Sequence, residues 1–421
     1  VTAGLSAPGF PEDAVRDRAR RGAAAIFPDR AGYGHTLHGA GAAPAADGLD
    51  AARLVPPVFV PRRLGKLIDL AREPVYADVD TSAAVGGFAA TLPVYVSAFG
   101  STQVAGADLG RAVARQAGRL GLPMVIGENV VPVNGYGRVT EGESALLGRL
   151  RAYAEAVPDE QGGVVVQQST EDADAEVWNL VYSDPAARPL LDSGRLGFEL
   201  KLGQGAKPGL GGMTVLAEPA ARRVAGQYLL DPVFGEAAGQ VLRSGTPGTF
   251  TQEILAHQVH LMRNNYPRAR VWVKLPPGRD VGEAAEVAWQ AGADAVTVDG
   301  AEGGTGWAPS AFLDHVGLPL AECLRRIARP AEAGSLLVSG RMWEGTRVVK
   351  ALASGATAVG IGRAALLAAD TDAEDGLVRF AEALALELRL LVSALGKYAV
   401  DDLGGEDIWS DGSPRREAEF A

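Results

Sequence analysis

The sequence predicts a single eight-stranded β/α barrel of the TIM type with an N-terminal extension. Three observations lead there. Eight short apolar runs rich in β-branched residues recur through the middle and end of the chain, helix-like segments separate most of them, and the runs are nearly continuous in hydrophobicity. An open doubly wound sheet is the competing architecture. It lacks its signature here, since no G-x-G-x-x-G opens a helix after the first run.

In chain order, residues 1–90 are rich in Pro, Gly, Ala and Arg, with one helical stretch near Asp13–Ile26, and read as an extension wrapping the barrel. The barrel is assigned to residues 91–400 and a tail to 401–421. Its strand candidates are Pro93–Ala98, Leu122–Ile126, Gly163–Gln168, Gly197–Leu202, Arg270–Leu275, Ala293–Val298, Ser335–Ser339 and Ala356–Ile361. Helical patterns fall at Asp108–Leu120, Gly142–Ala156, Gln252–Asn264, Gly282–Ala291, Leu318–Ala328, Gly345–Ser354 and Ala373–Leu395. The connection over 208–250 is unusually long and that over 129–142 is shorter; long loops in compact domains often carry function.

Composition narrows the function. A net charge of −11 argues against nucleic acid or an anionic membrane surface as partner. The single cysteine, Cys323, supports neither a disulfide framework nor a Cys-ligated metal or iron–sulfur site, and fits a reducing cytoplasm. His257 and His260 stand three apart on a helical pattern, which by itself makes no metal site, so no metal is assigned. No signal core and no apolar stretch of about 18 residues is present, so a soluble cytoplasmic protein is expected.

In a β/α barrel the chemistry gathers at the strand C-termini. Lysine is rare in this chain, with six in all, yet Lys201, Lys207 and Lys274 fall at or just past the fourth and fifth runs. A lysine inside an apolar run such as VWVKL needs an anion or acceptor. A buried ion pair with Glu199 or Asp299 is the structural alternative to a ligand site. The seventh run ends in Gly340–Arg341 and the eighth in Gly362–Arg363. Glycine amides plus a guanidinium at these two places form a phosphate signal. The sixth run ends in DGAEGGTG, carrying Asp299, Glu302 and Thr305, and read alone it is also a turn with solvated acids.

Four segments in order, GQGAKPGLGG (203–212), VWVKL (271–275), DGAEGGTG (299–306) and HVGLPL (315–320), resemble the FMN-binding synthase domain of the glutamate synthase family. VDTSAAVGG (79–87) and LPVYVSAFGS (92–101) resemble the approach to the barrel in its shorter archaeal-type members and in FMN-dependent 2-hydroxy-acid oxidases. The resemblance implies FMN as cofactor. Ser97 and Ala98 would then pack on the flavin, Gln168 would bond its edge, and Lys274 would sit near N1 and O2. Gly303, Gly304, Thr305, Gly340, Arg341, Gly362 and Arg363 would surround the phosphate. Gln204, Arg243 and Glu128 would line the substrate pocket, with Lys207 or Glu302 handling a proton. Glu128 and Arg243 also read as plain ion-pair partners in loops.

The chain departs from that family in telling ways. It has neither the cysteine cluster nor a glutaminase segment, and Leu210 and Met213 stand where the family's loop is polar. Ser339 and Trp343 replace an acid and an arginine. The first reading is therefore an FMN oxidoreductase acting on a carbon–nitrogen bond of a small amino acid, amine or imine. It would exchange electrons with oxygen or a separate redox partner, with room left for a homo-oligomer. A 2-hydroxy-acid oxidase is the alternative, although Glu302 stands where its histidine base belongs. A barrel that has lost its cofactor is the third.

Overall fold

A computed structural model describes residues 4–32, 45–99, 107–127, 145–169, 175–205, 207, 213–226, 228–235, 239–244, 249–328 and 334–410. Eight parallel strands close into one barrel: β1 (Val94–Phe99), β2 (Met124–Ile126), β3 (Val164–Ser169), β4 (Leu196–Lys201), β5 (Arg270–Leu275), β6 (Ala295–Asp299), β7 (Ser335–Ser339) and β8 (Ala358–Ile361). Each lies within two residues of its predicted run. β8 pairs with β1 through Val359 opposite Val94, which shuts the cylinder. Valine-rich strands form because branched side chains fit a surface buried on both faces, one toward the helices and one toward the barrel axis.

The predicted helices appear at Ala107–Arg119, Ala145–Ala154, Gln252–Asn265, Val281–Gln290, Leu320–Arg326, Gly345–Ala353 and Gly376–Ala394. Helices at Ala175–Ser183 and Arg363–Thr371 were not predicted. The second is RAALLAADT, with Ala364, Ala365, Leu367, Ala368 and Ala369 all buried. A helix buried on most sides shows little amphipathic contrast, so its period is silent in sequence.

The bottom of the barrel is plugged by a hairpin, Ala83–Val85 paired with Phe88–Ala90. Trp272, fully buried, donates from its indole to Gly86 O at 2.9 Å and packs against Phe88 and Tyr95. Gly86 is required: its φ is +59°, and a Cβ there would collide with the Trp272 ring.

The N-terminal residues are tied to the barrel's outer layer. Helix Glu12–Arg21 packs on Gly376–Ala394, where Arg18 forks onto Glu387 at 2.6 and 2.7 Å. Arg53–Leu54 pairs antiparallel with Ile408–Trp409. Within the long connection after β4, the chain folds a small antiparallel sheet of Thr214–Ala217, Leu230–Asp231 and Gln240–Arg243. No helix among the described residues is long and apolar enough to cross a membrane.

Candidate active site

Strand parity sorts the interior by chemistry. Below lie Trp272, Ala295, Leu337, Ala358 and Val165, all buried apolar groups. Toward the strand C-termini the inward positions turn polar: Gln167 on β3, Glu199 and Lys201 on β4, Lys274 on β5, Thr297 and Asp299 on β6, and Ser339 on β7.

These groups satisfy one another in pairs. Lys274 Nζ lies 3.2 Å from Asp299 Oδ2, and Asp299 Oδ1 accepts from Gly205 N at 3.0 Å. The lysine of VWVKL thus meets the ion pair expected of its structural alternative, at the rim rather than deep in the core. Glu199, one layer below, accepts from Gln167 Nε2 and from Thr297 Oγ1, each at 2.5 Å. Burial pushes its carboxyl above the ordinary range, against the pull of the Lys274 charge. Lys201 Nζ donates to Gln204 Oε1 at 2.7 Å, and Lys207 Nζ donates to the Met213 carbonyl at 2.9 Å. The Lys201 and Lys207 contacts order the start of the connection after β4.

Across the mouth, the ends of β7 and β8 bring guanidinium groups together. Arg341 Nη1 donates to Asp50 Oδ2 at 2.8 Å, with its backbone at φ +59°. Arg363 Nη2 donates to the Glu302 carbonyl at 2.6 Å, and its side chain lies along the Gly304 backbone, where a Cβ would press on it at 3.0 Å. Burial, then the neighbouring Arg341 and Arg347 charges, pull Arg363 down to about 10. Gly362 caps the N-terminus of helix Arg363–Thr371, whose free amides favour an anion. Gly303 N closes a tight turn onto Gly300 O at 2.8 Å, and Thr305 Oγ1 bonds the Trp307 carbonyl at 3.3 Å. Both Glu302 oxygens accept from Leu320 N, and burial raises its carboxyl.

The structure therefore gathers Lys274, Asp299, Glu302, Gly303, Gly304, Gly340, Arg341, Gly362 and Arg363 at one end of the barrel. Ser97 and Ala98 lie in β1, and a Cβ on neighbouring Gly360 would collide with Ser97 Oγ. Gln168 is buried on the strand face opposite Gln167, its amide donating to the Gln167 carbonyl at 2.8 Å. Arg243 sits in the sheet of the β4 connection, its guanidinium 3.7 Å above the Tyr228 ring. Glu128 and Leu210 lie outside the described residues.

Sequence reasoning missed Gln167 and three further groups: Arg347, Asp47 and Asp50. Arg347 is fully buried and bonds both aspartates, at 2.8 and 2.6 Å. Strand parity alone could have chosen Gln167 over Gln168, since Gln167 stands opposite Glu199. The aspartates gave no such signal, because they meet Arg347 from about 300 residues away in the chain.

A phosphorylated planar cofactor fits these residues. Arg341 Nε and Arg347 Nη2 are buried polar atoms bonded to nothing among the described residues. A buried donor without an acceptor is costly, which favours an anion at this rim. Among the described residues, no group of three His, Cys, Asp or Glu side chains is placed to hold a metal ion.

Comparison with known proteins bears on the same residues. Residues 193–373 match the conserved region in glutamate synthase. An archaeal-type glutamate synthase (NADPH) of Dehalococcoides mccartyi is 34% identical over 185 residues, covering 42% of this chain and 36% of that protein. A glutamate synthase large subunit-like protein of Rhizobium meliloti is 35% identical over 177 residues, covering 40% of this chain and 39% of that protein. The chain thus matches well under half the length of these relatives. In fold, it is similar to a doubly substituted flavocytochrome b2 with pyruvate bound (TM-score 0.54, 18% identity, 86% of this chain and 77% of that one). It is also similar to a mandelate oxidase variant with 2-hydroxy-phenylacetamide (TM-score 0.51, 20% identity, 97% and 91%). At such identities the likeness speaks for the barrel alone. From the β4 excursion through the β7–β8 rim, the chain is similar to the conserved region of glutamate synthases.

Proposed function

We propose that this protein is an FMN-dependent oxidoreductase acting on a carbon–nitrogen bond of an amino acid, amine or imine. The observation that carries the reading is the β7–β8 rim: Arg341, Arg347 and Arg363 converge there with buried donor atoms left over, across the mouth from Lys274. FMN, when bound, supplies two-electron chemistry by accepting or returning hydride at its ring. Gly303, Gly304, Thr305, Gly340, Arg341, Gly362 and Arg363 hold the phosphate end. Ser97 and Ala98 would serve the ring, and Lys274 would stand near its N1 and O2 edge as a fixed positive charge.

Substrate handling falls to the connection after β4 and to Glu302 in the loop after β6. Lys207 and Glu302 are the proton-bearing groups, and burial of Glu302 lets it keep a proton at higher pH than an ordinary carboxyl. Arg243 serves a substrate carboxylate, and Gln204 and Glu128 line the same pocket. Half-buried Met213 beside Lys207 suits a less polar substrate than the family loop does. In the oxidative direction oxygen or a separate redox protein takes up the electron pair, and in the reductive direction a separate redox protein supplies it. The protein is assigned to the cytoplasm.

The test is an anaerobic panel of amino acids, amines and imines with the yellow protein. Bleaching by members of that panel supports the reading. Colour that persists with all of them, or bleaching by lactate- and glycolate-like acids alone, moves the assignment to the hydroxy-acid class.

A further inference from the structure

Behind the β7–β8 rim, residues of the N-terminal extension reach the loop that ends β7. Arg347, in the first turn of helix Gly345–Ala353, has 0% of its surface exposed. Its Nε donates to the Gly340 carbonyl at 3.1 Å, and its Nη1 donates to Asp47 Oδ1 at 2.8 Å and Asp50 Oδ1 at 2.6 Å. Its Nη2 is buried without a bond among the described residues. The other oxygen of Asp50 accepts from Arg341 Nη1, and the Asp50 carbonyl accepts from Lys350 Nζ, both at 2.8 Å. Asp47 is also the N-cap of the short turn Gly48–Ala51, accepting from Leu49 N and Asp50 N.

Two consequences follow for Arg341. In a trans peptide the carbonyl and the next N–H point in opposite directions. By drawing in the Gly340 carbonyl, Arg347 turns the Arg341 N–H away from itself. Arg341 also holds φ +59°, a conformation that a residue with a side chain adopts only when its surroundings impose it. One buried guanidinium thus holds the Gly340–Arg341 peptide directly, and through Asp50 it holds the Arg341 side chain.

We infer that Arg347, with Asp47 and Asp50, is a positioning clamp for the phosphate loop, and that it sets the preference of the protein for FMN over unphosphorylated riboflavin. This rests on the FMN reading above. A cluster that merely fastens the extension to the barrel would affect both flavins alike, because its loss would loosen the whole fold.

The experiment titrates the full-length protein with FMN and with riboflavin, following flavin fluorescence. Arg347→Lys keeps the charge but loses the fork that reaches three acceptors. It is expected to weaken FMN by about tenfold, the worth of one charged hydrogen bond, while riboflavin stays unchanged. Asp47→Asn keeps the cap but breaks an ion pair to Arg347, and it makes the site more positive. Charge alone would then tighten FMN, whereas the clamp requires weaker FMN, by about threefold, again with riboflavin unchanged. Should Arg347→Lys fail to fold, Asp47→Asn decides alone. FMN and riboflavin weakening in parallel, or FMN unchanged or tighter in Asp47→Asn, overturns the clamp. A wild-type protein that binds FMN no better than riboflavin overturns the functional reading and the clamp together. A wild type that discriminates, with variants that discriminate equally, overturns the clamp only.

Discussion

The two ends of the barrel are built from the same strands and serve opposite ends. At the bottom, inward positions carry Trp272 and Tyr95, and the hairpin's Phe88 and Gly86 pack against the indole ring. At the top, further along β4, β5 and β6, the inward positions are Lys201, Lys274 and Asp299. The bottom is closed by apolar contact and has every reason to be rigid. The top is held by ion pairs and hydrogen bonds that a ligand can share. The difference teaches that a barrel core is one continuous column, in which polarity rather than backbone marks where packing stops and chemistry begins.

Breaking the bottom is expected to have the largest effect. Trp272→Ala removes the plug's centre and should cost about 3–5 kcal/mol in denaturant unfolding, typical of a deleted buried aromatic. Any folded fraction should still bind flavin. Next in size, Lys207→Ala should leave the yellow colour intact and slow turnover by about a hundredfold, the scale of a lost proton-transfer group. Lys274→Ala should shift the flavin midpoint potential by ~30 mV or more toward negative values, because a positive charge favouring the reduced ring is gone. The smallest effect belongs to Glu199→Gln. The folded protein raises the Glu199 carboxyl, so it binds an extra proton between the ordinary carboxyl range and the raised value, and stability falls as pH rises through that window. A permanently neutral amide avoids that loss. The variant should melt on the order of a degree or two higher at neutral pH, with the gain vanishing near about pH 4.

The barrel was legible because its strands are unlike their surroundings: VYVSA, VVVQQ and VWVKL are branched runs between glycines and helical patterns. The rim was legible where a motif stays local, as in DGAEGGTG or Gly362–Arg363. What stayed hidden depends on distance or on parity. Arg347 reads as one more polar residue of a helix until Asp47 and Asp50 arrive from the extension. The hairpin at 83–90 reads as a loop approaching β1, because the tryptophan it covers lies nearly two hundred residues on, 186 by the hydrogen bond from Trp272 to Gly86. The connection over 208–250 hides a three-stranded sheet whose strands, such as Leu230–Asp231, are too short to show a period.

The claim beneath all of this is that the arginine rim of β7 and β8 is an anion seat for a flavin phosphate. Calorimetric titration of the protein with FMN, in parallel with a variant carrying Arg341→Ala and Arg363→Ala, addresses it most directly. One FMN per chain, with binding lost or greatly weakened in the variant, is the expected result. No FMN uptake by the wild type, or equal uptake by the variant, would contradict it.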